Sequence, residues 1–161
     1  MDTFSLYVQF IISGLTMGAI YAMVGIGFSF IYRVTTVLNF AQGEFLMLGG
    51  MVAITMTSVL GTSLIPALIL AILAVTLTGM LFHLGAIRVL GKAEPVRMIL
   101  ITIAGSMFLQ GVAYLIWGTD DYKLPALVKA GTINILGAAV NSQVIPVFIA
   151  AILISFILKI F

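Results

Sequence analysis

The chain has 161 residues, 63% of them hydrophobic and only 7% charged, with a formal net charge of +2 and a mean hydropathy of +1.31. A soluble domain carries about 25% charged residues to face water, so this composition excludes a soluble globular surface. No cysteine means no disulfide framework and no thiolate metal site; the single His83 is too few for a multi-histidine metal centre, and the small, scattered charge does not fit nucleic acid.

Charged residues and turn formers divide the chain into five apolar spans, at about 6-31, 34-60, 64-87, 98-117 and 144-161. Each is close to the roughly 20 residues that cross ~30 Å of hydrocarbon as a helix. The first has no basic n-region, Asp2 being its only early charge, and its apolar run from Leu6 is too long for a cleaved signal peptide. It ends at Tyr32-Arg33. Gly14, Gly18, Ala22 and Gly25 recur along one of its faces. Small residues let helix backbones approach closely in lipid, so Gly14, Gly18 and Ala22 are read as a helix-packing seam. A substrate-lining face is the alternative.

The second span holds Asn39, Gln42, Gly43 and Glu44, and Glu44 is the only charge well inside an apolar stretch. A charge at the centre of a spanning helix costs ~3 kcal/mol on insertion scales, so it has a partner or lines water. The polar cluster suits a broken helix whose freed backbone groups need partners, an element that transporters place at their sites. Arg33 is a salt-bridge partner if the segment folds back. The competing reading is structural: these groups cap a helix end or bond a neighbouring helix. Met47, Met51 and Met56 are expected to fill irregular packing gaps.

The third span ends near His83 and Arg88. His83 is expected to be interfacial or hydrogen-bonded to a neighbour, with a proton relay as the alternative. A loop with Lys92, Glu94 and Pro95 leads to the fourth span. The segment 118-143 is the only sizeable non-membrane piece. Its alternation at Thr132 to Leu136 predicts a short strand or hairpin, read as a structured extracytoplasmic lip, with a passive loop as the alternative.

Strands cannot account for the spans, because Ile65 to Leu77 is apolar on every side where a barrel needs alternation. The expected fold class is all-α: a polytopic transmembrane helical bundle forming one domain over 1-161. Placing the ends of spans one, three and five on one side gathers Arg33, Arg88, Lys92, Arg97 and Lys159 there, against Lys123 and Lys129 opposite. The positive-inside rule then puts the N-terminus outside and the Phe161 end in the cytoplasm. Rings at Phe4, Tyr7, Tyr114, Trp117 and Tyr122 fit the outer interface. Phe161 ends the chain within an apolar run, so the expectation is a piece of a longer protein or a truncated product. There is no G-x-x-x-x-G-K-[ST] loop and no HExxH motif, and Ser106 and Ser155 show no His/Asp arrangement. Neither catalysis nor a cofactor is expected.

Two stretches carry a resemblance. Tyr21-Ala22-Met23-Val24-Gly25-Ile26-Gly27 is followed by Asn39-Phe40-Ala41-Gln42-Gly43-Glu44-Phe45-Leu46-Met47-Leu48-Gly49. Ile101-Thr102-Ile103-Ala104-Gly105-Ser106-Met107-Phe108-Leu109-Gln110 lies further on, after Glu94-Pro95-Val96, and Pro125 and Gly131 follow. Together these resemble the permease family of branched-chain amino acid ABC importers, in particular the permease type whose motif reads NFA-x-GE. The resemblance implies import of branched-chain amino acids or related amides across a bacterial inner membrane by alternating access. It also implies a sister permease subunit, ATP-binding subunits that hydrolyse ATP, and an extracytoplasmic solute-binding protein. Asn39, Gln42 and Glu44 are the candidate translocation-pathway or gate residues. Two other readings remain: an ATP-independent channel or secondary transporter using Glu44 as its ion site, and a non-transporting truncated membrane fragment.

Overall fold

A computed structural model of the chain describes residues 3–91, 94–124, 131–135 and 138–160. Asp2, Lys92, Pro125, Lys129, Leu136 and Phe161 lie outside the described residues.

Helix α1 spans Thr3–Thr35 and α2 spans Gln42–Ile54, running on into a π-helical turn at Thr55–Val59. Helix α3 (Leu64–Phe82), a second π-helical turn (His83–Ile87) and α4 (Arg88–Leu90) form one continuous rod. Helix α5 spans Pro95–Trp117. Strands β1 (Thr132–Ile135) and β2 (Ala138–Asn141) pair antiparallel, with Thr132 opposite Asn141. Helix α6 spans Val144–Ile160. The protein is thus an all-α membrane protein with one small hairpin, and the hairpin falls where the alternation at Thr132 predicts it.

Local chemistry explains the boundaries. Pro95 opens α5 at a position where its missing N–H costs nothing. Gly118 closes α5 in the left-handed region at φ 73°, donating its N–H to the Tyr114 carbonyl at 2.9 Å. At the end of α1 the turn falls instead on Thr36, at φ 55°. A β-branched residue there is strained, and the hydroxyl of the neighbouring Thr35 accepts from the Val37 N–H at 3.4 Å.

The second span departs from expectation. The sequence predicts a span at 34-60, but α1 runs through Thr35 and residues 36–41 are not helical, so the second helix starts at Gln42. Among the described residues, three helices are long and apolar enough to cross a membrane: Thr3–Thr35, Leu64–Leu90 and Pro95–Trp117. Val144–Leu158 is apolar but shorter.

The chain divides into two compact units, Met1–Ser29 with Ala126–Phe161, and Phe30–Pro125. In the first, the face of α1 bearing Gly14, Gly18 and Ala22 is exposed, with open space where a Cβ would stand on either glycine. In the second, α2 packs most extensively on α3 and also on α5. Small residues make that closeness possible: Ala53, Ala67 and Ala71 are buried, and a Cβ on Gly49 would press on Val75 at 3.3 Å. Ala41, Leu48, Leu109 and Ala113 form the core, with Phe45, Met47, Val75, Phe82 and Trp117 against it. The Phe45 and Phe82 rings meet edge to face at 6.0 Å.

Candidate functional site

The site begins at the break between α1 and α2, because broken helices leave backbone groups that lipid cannot satisfy. The Asn39 side-chain oxygen accepts from the Ala41 N–H at 3.0 Å, and the Asn39 carbonyl accepts from the Gln42 N–H at 3.2 Å. The Ala41 carbonyl accepts from Glu44 and Phe45 N–H groups, starting α2. Phe40 reaches further. Its N–H donates to the hydroxyl of Thr102 on α5 at 3.2 Å, and that hydroxyl donates to the Ile99 carbonyl at 2.8 Å. Thr102 is buried.

One turn and two turns beyond Thr102, α5 presents Ser106 and Gln110 on the same face. Both hold Glu44. The Ser106 hydroxyl donates to Glu44 Oε1 at 3.0 Å and the Gln110 amide donates to the same oxygen at 3.2 Å. Among the described residues, both side-chain donors to Glu44 meet Oε1. Glu44 is half-buried and lies in the first turn of α2, where the helix macrodipole favours negative charge. Its partners are neutral, and Arg33 is exposed. Farther along the seam, the Trp117 indole donates to the Thr55 hydroxyl at 2.8 Å.

The three sequence candidates therefore face different ways. Glu44 meets α5. Gln42 lines a groove of about 530 Å³ between α2 and α3, beside Phe45, Ala71 and Val75. Asn39 turns the backbone and, with Thr35, Thr102 and His83, lines a cavity of about 270 Å³. His83 is exposed and stands on the second π-helical turn. Sequence reasoning missed Thr102, Ser106 and Gln110 as partners. Their four-residue spacing inside the Ile101 to Gln110 motif was the available signal. Among the described residues, no group of three or more acidic or histidine side chains is placed to hold a metal ion.

Thr102→Val tests the splint across the break. It removes the acceptor of the Phe40 N–H while keeping the shape, and losing this part-buried hydrogen bond costs about 0.5–1.5 kcal/mol. The expected outcome is a lower unfolding temperature of the complete permease in thermal-shift measurements, with Thr102→Ser close to wild type.

The family described as "Branched-chain amino acid transport system / permease component" matches residues 10–161. The high-affinity branched-chain amino acid transport system permease protein BraD of Pseudomonas aeruginosa is 28% identical over 96% of this chain and 54% of its own length. The permease protein LivH of such a system in Escherichia coli K12 is 28% identical over 78% of this chain and 44% of its own length. LivH of Salmonella typhimurium is 27% identical over 99% of this chain and 56% of its own. The chain thus spans about half the length of the curated relatives it matches. No solved structure matches it. Apolar helices long enough to cross a membrane and a family match over nearly the whole chain lead to one conclusion: this chain belongs to the family of branched-chain amino acid transport permease components.

Proposed function

We propose that this chain forms part of the membrane-spanning permease subunit of an ATP-binding-cassette importer for branched-chain amino acids or related amides. The match of residues 10–161 to the permease family carries this reading. The site supports it: a half-buried carboxylate held by neutral donors beside a helix break suits a transport path better than a passive span. Glu44 is the pathway or gate residue at the α2–α5 seam. Asn39 shapes the break, and Gln42 faces the groove towards α3.

The partners are a sister permease subunit, ATP-binding subunits and an extracytoplasmic solute-binding protein. The home is a bacterial inner membrane, with the N-terminus outside by the distribution of basic residues. The exposed Gly14, Gly18 and Ala22 face packs against further helices of the assembly, since small residues admit close backbones in lipid. ATP-driven closure of the inner subunits switches the side to which the path opens, by favouring one of two conformations.

The test is uptake of radiolabelled leucine by the complete assembly in proteoliposomes. Accumulation that needs ATP and the ATP-binding subunits is the expected result. Accumulation without them would instead make Glu44 the ion site of a secondary transporter. A complete, folded assembly that moves no branched-chain amino acid sinks both readings.

A further inference from the structure

The cavity of about 270 Å³ lies where two irregular pieces of backbone meet. Asn39 reaches it from the break between α1 and α2, and His83 and Ile87 reach it from the second π-helical turn. Thr102 lines it from α5, at the point where that helix holds the break. Non-helical backbone at membrane depth is tolerated where it is buried in protein or lines a wet cavity, and π-helical turns recur at functional sites. Here both border one space. Its volume is several times the roughly 30 Å³ of a liquid water, and just under the ~300–1,000 Å³ of drug-sized pockets. A small solute is the matching size.

The walls divide into donors and apolar surface. Ile31, Ile87 and Met98 line the cavity half-buried, Thr102 is buried and His83 is exposed. The Thr102 hydroxyl is already committed, accepting from the Phe40 N–H and donating to the Ile99 carbonyl. Asn39 spends its side-chain oxygen on the Ala41 N–H. Its amide nitrogen, with two N–H donors, is what it offers the cavity, and the His83 ring adds an N–H. Among the described residues no carboxylate lines this space. The charged residues within two positions of its apolar walls are all basic: Arg33 after Ile31, Arg88 beside Ile87 and Arg97 beside Met98. N–H donors in a positive local field select an anionic, acceptor-only group. The aliphatic and thioether walls suit a short apolar body attached to it.

We propose that this cavity is a carboxylate-binding subsite of the transport path. The Asn39 amide and the His83 ring N–H donate to the carboxylate of the amino acid, and Ile31, Ile87 and Met98 contact its side chain. The proposal rests on the importer reading and names solute contacts behind it.

The test is equilibrium binding of radiolabelled leucine to the complete permease assembly in nanodiscs, without the soluble binding protein. Leucinamide, measured by competition, keeps the side chain and the ammonium but has no carboxylate. Asn39→Asp keeps the oxygen that accepts from Ala41 and replaces the donor with a second oxygen. It should lower the preference for leucine over leucinamide by at least about tenfold, the effect of one charge-assisted hydrogen bond. His83→Leu removes the other donor at an exposed position and should lower the same preference by a similar factor. An unchanged preference in either variant overturns the assignment, as do equal losses for leucine and leucinamide. If Asn39→Asp does not assemble, His83→Leu decides alone by the same criterion. A wild-type assembly with no saturable leucine binding overturns it too. ATP-driven uptake in proteoliposomes is scored separately, so a failed subsite is distinguishable from a failed importer.

Discussion

Glu44→Ala in the complete permease is expected to lower leucine uptake by at least about tenfold. The carboxylate oxygen that accepts from Ser106 and Gln110 disappears. Hydrogen bonds to charged groups contribute about 1.5–3 kcal/mol each, and 1.4 kcal/mol is about a factor of ten in an equilibrium. Ser106 and Gln110 both lose this acceptor. Comparison with Glu44→Gln separates structure from transport. A residue that only ties α2 to α5 is rescued by the amide, because the amide still accepts. A pathway residue is not: Glu44→Gln should assemble at wild-type levels and still transport poorly. Normal uptake together with normal expression in Glu44→Ala removes Glu44 from the pathway.

The second large effect is expected at Gly105, where α5 passes under the ring of Phe82 on α3. A methyl on Gly105 would overlap that ring. The ring cannot swing away freely, because it packs edge to face with Phe45. Gly105→Ala should therefore cost about 1–3 kcal/mol through overpacking, despite the better helix propensity of alanine. The readout is the unfolding temperature of the complete permease. Phe82→Leu in the Gly105→Ala background should recover most of the loss by clearing the space. A Gly105→Ala protein as stable as wild type would mean that α3 and α5 do not approach this closely.

Both residues show how local and tertiary information differ. Glu44 stands out in the sequence because one charge in an apolar run is costly wherever it points. Gly105 does not stand out among 16 glycines. Its role comes from a ring on another helix.

Composition by itself determined that the chain lives in a membrane, since 7% charge cannot cover a soluble surface. Apolar run length and the lack of alternation determined helices over strands, and the alternation at Thr132 determined the hairpin. These are properties of neighbours in the chain, so sequence reports them directly. The break was half legible: the polar cluster marked it, but its position at 36–41 came from a strained turn at Thr36 that no composition signals. Only the tertiary structure decided what Glu44 touches, because Ser106 and Gln110 lie 62 and 66 residues away. It likewise decided that Asn39, Gln42 and Glu44, so close in the chain, point to three different surroundings. On a helix each residue turns about 100° from the last, so adjacency in sequence scatters side chains. The register of α2 against α3 and α5 then determines which of them meet.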